Sequence, residues 1–81
     1  MDNTIKPEKY LVITFDSTAF AYAMEKARRE DNLEGRLIPL PKSISAGCGA
    51  SFATKNFDRR FWQEYMAGKG ISFSGFYDVE L

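Results

Sequence analysis

The sequence predicts an α+β domain of the ferredoxin-like βαββαβ type, a sandwich of a four-stranded antiparallel sheet with two helices on one face. Runs of β-branched and aromatic residues alternate with segments of helical periodicity in that order. Pro39 and Pro41 fall in the second strand. Because proline cannot donate to a ladder, this strand must lie at an edge of the sheet. A right-handed split βαβ topology meets the requirement and gives the strand order 4-1-3-2.

The first half of the chain begins with one strand and one helix. The run Tyr-Leu-Val-Ile-Thr-Phe at 10–15 is typical of a central strand. Ser17 and Thr18 follow it, and such side chains accept hydrogen bonds from the free amides that open a helix. The predicted apolar face of this helix consists of Phe20, Ala23, Met24 and Ala27. Gly35 marks the end of the segment.

The second half contains three strands and one helix. Short strands are predicted over 36–40 and 50–54, with a turn region at 43–49 between them. Asn56 is the predicted cap of the second helix, whose apolar face consists of Phe57, Phe61, Tyr65 and Met66. The fourth strand is predicted from Ile71, with a bulge at Gly75. In the first strand we expect either Val12 or its neighbours Leu11 and Ile13 in the core. The other expected core residues are Phe20, Met24, Phe61, Tyr65 and Phe73.

Composition narrows the classes of function. The 81 residues suffice for one domain, which we expect over residues 9–81 after a polar lead-in at 1–8. Eleven basic residues balance eleven acidic ones, so the basic surplus that nucleic-acid binding requires is missing. No apolar run has the length of a membrane span, and the first residues lack the features of a signal peptide. We therefore expect a cytoplasmic protein with no nucleic-acid or membrane partner.

The use of cysteine and histidine excludes several kinds of site. The chain has one cysteine, Cys48, and no histidine. Cys-His nucleophilic catalysis is therefore excluded, as are the usual zinc sites with nitrogen or clustered sulfur ligands. The carboxylates show no arrangement that indicates an acid–base pair. We expect no metal, no cofactor and no independent enzymatic activity.

Cys48 is the strongest candidate functional residue. Gly47 and Gly49 flank it, and glycines in a turn let the backbone approach a ligand or a partner closely. The alternative interpretation is a small, inert cysteine that packs in the core beside an ordinary turn.

The predicted topology supplies groups that support a thiolate at Cys48. It places the cysteine loop at the same end as the start of the first helix, where Ser17, Thr18 and free amides favour an anion. Lys42 is a secondary cation beside the loop, and Lys55 flanks it on the other side. The loop around Lys69 is expected at the same end.

The segment 36–49 is similar to a segment of a known small bacterial family. The Pro-x-Pro at 39–41, followed closely by Cys48 and Gly49, is its most specific part. The resemblance begins at the first strand and ends at Gly75-Phe76-Tyr77, so it covers nearly the whole chain. The family is the selenium/sulfur carrier protein-like group.

The resemblance implies a carrier whose Cys48 thiolate accepts persulfide sulfur or a selenium atom from a donor protein and passes it to an acceptor enzyme. Ala46 and Gly47 stand where family members often place small hydroxyl residues, so a hydroxyl contact to the sulfur is not implied. A second class of function stays open, a non-catalytic interaction or regulatory module in which Cys48 is structural. Exposed strand edges and surplus aromatic residues also leave a homodimer open.

Overall fold

The structure is a computed structural model that describes residues 7–45 and 47–81. The elements in chain order are β1 (Lys9–Thr14), α1 (Thr18–Glu30), β2 (Arg36–Pro39), β3 (Ala50–Thr54), α2 (Arg59–Lys69) and β4 (Gly75–Glu80). Neighbouring strands are antiparallel in the order β2-β3-β1-β4. The predicted α+β ferredoxin-like arrangement and its strand order are confirmed. Most of the predicted lead-in, residues 1–6, lies outside the described residues.

The hydrogen-bond pattern explains why β2 lies at an edge. The amide of Leu40 donates to the carbonyl of Gly49 at 2.9 Å, so the backbone groups of Leu40 point towards the neighbouring strand. Inward and outward backbone groups alternate along an antiparallel strand. The nitrogens of Pro39 and Pro41 therefore point outward, where neither removes a ladder bond. The prolines instead remove two donors from the exposed edge.

The larger part of the core lies between the sheet and the helices. Leu11, Ile13 and Phe52 point to this side, because Ile13 and Phe52 are cross-strand partners and Leu11 lies two residues from Ile13. Both helices contribute to the same cluster, through Ala21, Met24 and Ala27 of α1 and Trp62 and Met66 of α2. The rings of Phe52 and Trp62 meet edge to face with centroids 5.5 Å apart. This contact fixes α2 against the centre of the sheet.

A smaller cluster covers the opposite face of the sheet. Val12 and Ala53 lie at its centre and are fully buried. Ile44, from the connection between β2 and β3, packs on them and is itself buried. The partly buried residues around them are Tyr10, Ile38, Leu40 and Val79. The connection between β2 and β3 is thus anchored beneath the sheet.

The predicted helical faces are correct at Met24, Ala27 and Met66, which are buried, but their other members are displaced by about one position. Ala21 and Trp62 are buried, whereas Phe20 and Phe61 are only partly buried. Tyr65 and Phe73 are also half-buried, and Ala23 and Phe57 are exposed. Met24 is fully buried as expected, and in β1 Leu11, Val12 and Ile13 are all fully buried. In both helices apolar residues occupy adjacent positions, so the sequence pattern does not decide which of them lies at the centre of the buried face.

The cap of α2 also differs from the prediction. Asp58, and not Asn56, is the N-cap, and its carboxylate accepts from the amide of Phe61 at 3.1 Å. Asn56 lies in the preceding turn, where its side chain accepts from the amide of Asp58 at 3.1 Å. Both residue types are good caps. The side chain three residues before Phe61 is the one that reaches the free amide.

The fourth strand begins four residues later than predicted. Ile71 to Ser74 lie outside any strand, and Gly75 opens β4 instead of forming a bulge. The amide of Ile71 donates to the carbonyl of Met66 at 2.9 Å, so Ile71 still belongs to the end of α2. The alternation of Ile71 and Phe73 reflects packing against the main core, not a ladder.

Candidate functional site

The loop that carries Cys48 joins β2 to β3. The hydrogen bond from Leu40 to Gly49 closes it at its base. Within it, the amide of Ile44 donates to the carbonyl of Pro41 at 3.0 Å, which forms a turn. Since the side chain of Ile44 is buried under the sheet, the loop is held at its base and at its middle.

Cys48 is a half-buried free thiol. Its Sγ donates to the carbonyl of Ala50 at 3.5 Å, and the side chain packs at the margin of the main core. The sulfur is therefore neither sealed in the core nor fully exposed. A thiolate cannot donate, so the contact with Ala50 is specific to the protonated form.

Both neighbours of Cys48 adopt a backbone conformation that favours glycine. The φ angles of Gly47 and Gly49 are +128° and +95°. A Cβ at Gly49 would meet no atom within 4 Å, so this side of the loop is open. A Cβ at Gly47 would lie 3.4 Å from Cδ1 of Leu40. The backbone of the loop thus favours glycine at both positions, and the space beside Gly49 is open.

The cysteine loop lies beside the turn that opens α1. A Cβ built at Gly47 would lie 3.7 Å from the carbonyl oxygen of Phe15, two residues before the N-cap Ser17. The Oγ of Ser17 accepts from the amide of Ala19 at 3.2 Å, so this hydroxyl serves the helix. Thr18 is the first residue of α1 and is exposed. The structure therefore brings the loop and the helix start together but records no contact of Ser17 or Thr18 with the sulfur.

Two of the three predicted cations lie elsewhere. Lys42 is exposed within the loop. Lys55 follows the far end of β3, where it pairs with Glu8, so its predicted place beside the loop is wrong. Lys69 is also misplaced, because its Nζ lies 3.0 Å from Asp31 at the opposite end of α1. A helix of this length spans about 20 Å.

Sequence reasoning missed one contact at the end of the sheet where α1 begins. The hydroxyl of Ser74 donates to the carboxylate of Asp16 at 2.5 Å, and the amide of Ser74 donates to the carbonyl of Thr14 at 2.7 Å. These bonds tie the turn before α1 to the start of β4. The residues are far apart in sequence, so no local pattern could reveal the contact.

Other kinds of site find no support within residues 7–45 and 47–81. No group of three acidic, histidine or cysteine side chains is placed to hold a metal ion. No helix in this part of the chain has the length and apolar character of a membrane span. Cys48, the single cysteine of the sequence, supplies the thiol of this loop.

Comparison with known proteins identifies one family, whose match includes the Cys48 loop. A family model described as "Putative Se/S carrier protein-like" matches residues 9–78, a range that contains β1 to β3, both helices, the Cys48 loop and the first part of β4. Searches of curated proteins and of solved structures found no match. Because the family model covers nearly the whole chain, this protein belongs to the Se/S carrier protein-like family.

Proposed function

We propose that this protein carries sulfur or selenium on the thiol of Cys48. The observation that carries the proposal is a partly accessible cysteine between two glycines of positive φ, in a loop open on one side. Membership of the Se/S carrier protein-like family supports the same reading. The partners are a donor protein that supplies the atom and an acceptor enzyme that receives it.

The transfer needs no change in net oxidation state. The Cys48 thiolate attacks the terminal sulfur of a donor persulfide, a new S–S bond forms, and the donor leaves as a thiolate. An acceptor nucleophile then attacks the terminal sulfur on Cys48, whose thiolate leaves. Selenium travels the same way when the donor presents it as a terminal –S–SeH group, since attack on that selenium forms an S–Se bond to Cys48 and releases the donor thiolate. Neither step requires a metal or a bound cofactor.

The loop suits this exchange because its framework is fixed and one side of it is open. The base bond at Gly49 and the buried Ile44 hold the backbone. The thiolate form loses the hydrogen bond to the Ala50 carbonyl, and the open space beside Gly49 leaves room for a donor to approach. The turn before α1 lies beside this loop, and Lys42 is exposed within it. A reducing compartment such as the cytoplasm would keep the thiol available.

Intact-mass measurement after incubation with cysteine persulfide tests the proposal. The protein should gain the mass of one sulfur atom, and the Cys48→Ser variant should gain none. A matched control moves the thiol to exposed Ser45 in a Cys48→Ser, Ser45→Cys double variant, which should load less. Equal loading of the double variant would show that any thiol on this loop suffices, and absence of loading on Cys48 would contradict the proposal.

The packing of Cys48 against the main core favours a second candidate, an interaction module in which the cysteine is structural. Thiol labelling of the native protein separates the two. A carrier should label without unfolding, and Cys48→Ser should change the free energy of unfolding by less than about 1 kcal/mol. A thiol that labels only after denaturation, with a larger stability loss, would support the structural module.

A further inference from the structure

Within residues 7–45 and 47–81, no strand pairs with the outer edge of β4. Glu8 and Leu81 exchange both backbone hydrogen bonds, at 3.2 and 2.9 Å. Because inward and outward groups alternate along the strand, the amides and carbonyls of Phe76, Asp78 and Glu80 point away from β1. β4 is the last strand of the sheet, and no described residue pairs with this edge.

The two edges of the sheet are therefore unequal. At β2, Pro39 and Pro41 remove outward donors, which hinders strand addition. At β4 the sequence Gly-Phe-Tyr-Asp-Val-Glu contains no proline. A sheet that can extend from only one edge cannot build a fibre by edge pairing, since each new copy uses up the open edge. Pairing of two open edges closes as a two-fold dimer.

We propose that β4 pairs antiparallel with β4 of a second copy of this chain, with Tyr77 on the two-fold axis. Residues whose backbone groups point outward (Phe76, Asp78 and Glu80) must pair with the same kind of residue in the partner strand. Few registers meet this condition. Registers that place Asp78 opposite Asp78 or Glu80 of the partner set carboxylates directly against each other, which is unfavourable. With Tyr77 on the axis, Phe76 faces Asp78 of the partner subunit instead.

The position of Arg59 supports this register. Its Nη2 lies 3.5 Å from the carboxylate of Asp78, and its guanidinium lies over the ring of Phe76 at 5.8 Å from the centroid. In the dimer, Asp78 of the partner subunit stands opposite Phe76 on the same face. Each Arg59 then lies between two carboxylates, one from each copy. This arrangement complements the charge of the acidic strand at the interface.

Tyr77 supplies the apolar part of the interface. Its side chain is 37% exposed on the face away from the helices, which is high for a strand residue with a large ring. In the proposed register it meets its own symmetry copy as a pair without direct hydrogen bonds, with Cα atoms about 4.5 Å apart. Cross-strand aromatic pairs of this kind stabilise a sheet.

Disulfide trapping tests the register. A Tyr77→Cys variant in a Cys48→Ser background should form a covalent dimer with oxidised glutathione, because the Cα separation suits a disulfide. Val79→Cys in the same background should not, since residue 79 lies about 13 Å from its copy. Tyr22→Cys, at an exposed position on α1, reports random collision. Trapping of Tyr77→Cys no faster than of Tyr22→Cys overturns the proposal, and preferential trapping of Val79→Cys overturns the register.

Sedimentation equilibrium tests the edge itself. The unaltered chain should dimerise in a concentration-dependent way. Asp78→Pro should raise the dimer Kd by at least about tenfold, because it removes an outward backbone N–H together with the carboxylate that pairs with Arg59. Asp78→Asn keeps that backbone N–H and should dimerise more strongly than the proline variant. A chain that stays monomeric at high concentration, or a folded proline variant that dimerises like the unaltered chain, overturns the proposal. If the proline variant does not fold, the trapping experiment decides.

Discussion

The phenol of Tyr65 in α2 donates a hydrogen bond to the carboxylate of Asp31, the residue that caps the end of α1, at 2.6 Å. Nζ of Lys69 lies 3.0 Å from the same carboxylate oxygen. The hydrogen bonds from Tyr65 and Lys69 lower the pKa of Asp31. The pKa of Tyr65 is raised, mainly by burial and to a smaller extent by the hydrogen bond to Asp31. This cluster joins the C-terminal ends of the two helices.

Removal of the Tyr65 hydroxyl should loosen that junction. Tyr65→Phe keeps the ring that stacks on Phe61 and loses only the bond to Asp31. We expect a loss of about 0.5–1.5 kcal/mol in the free energy of unfolding, measured by urea denaturation. Tyr22→Phe, at an exposed position with no described hydrogen bond, is the matched control and should change nothing. Equal effects of the two substitutions would show that the contact contributes no stability.

Glu25 should make the stability of α1 depend on acid pH. The hydrogen bond from Arg28, at 2.6 Å, is the main cause that lowers the pKa of Glu25, and Arg29 adds a contact at 3.0 Å. Because the folded pKa lies below the unfolded one, this stabilisation is complete above the unfolded pKa and disappears as pH falls through the folded pKa.

Glu25→Gln should therefore lower stability by about 0.5–1 kcal/mol at neutral pH, the usual effect of two helical ion pairs. The difference from the unaltered chain should disappear in acid. Thermal melts at neutral and acid pH measure both. Glu30→Gln, which removes a carboxylate without a described ion pair, should show no such loss at neutral pH. A difference that persists unchanged in acid would refute the electrostatic explanation.

Gly35 should not tolerate a side chain. Its φ is +145°, and a Cβ there would lie 2.2 Å from Cζ of the fully buried Phe52. Gly35→Ala should cost at least about 1–3 kcal/mol in the free energy of unfolding, because the ring must shift within a packed core. Gly68→Ala in α2 meets open space and should instead stabilise the protein by about 0.5–1 kcal/mol. Chemical denaturation measures both variants. This account would be refuted if both substitutions changed the free energy of unfolding in the same direction.

Two buried hydroxyls of β3 should respond in opposite ways to removal. The Oγ of Ser51 has no hydrogen-bond partner among the described residues, so Ser51→Ala should be neutral within about 0.5 kcal/mol or stabilising. Oγ1 of Thr54 donates to the carboxylate of Glu34 at 2.8 Å and accepts from the amide of Asn56 at 3.1 Å. Thr54→Val should cost about 1–3 kcal/mol in calorimetric stability. A large loss for Ser51→Ala would reveal a partner that the described residues do not supply.

The sequence by itself determined the order of the elements and the edge position of β2. Strand and helix differ in the period of their apolar residues, and Pro39 and Pro41 exclude a central position. From the order and the right-handed crossover follows the place of the Cys48 loop beside the start of α1. The cap at Ser17 was also readable, because capping depends on a side chain two residues from the amide it serves.

Only the tertiary structure decided which side of each helix is buried and where α2 ends. Phe61 and Trp62 are adjacent, and both suit a core, so the contact of Trp62 with Phe52 selects between them. The junction of Tyr65 with Asp31 joins residues 34 positions apart, a separation at which no local periodicity acts. It places Lys69 beside the C-terminal end of α1, whereas the regular topology predicts Lys69 at the end of the sheet where α1 begins and the Cys48 loop lies. Local patterns specify which segments form helices and strands. The direction of α2 depends instead on the packing of aromatic rings against residues that are distant in sequence and that only the folded sheet brings into reach.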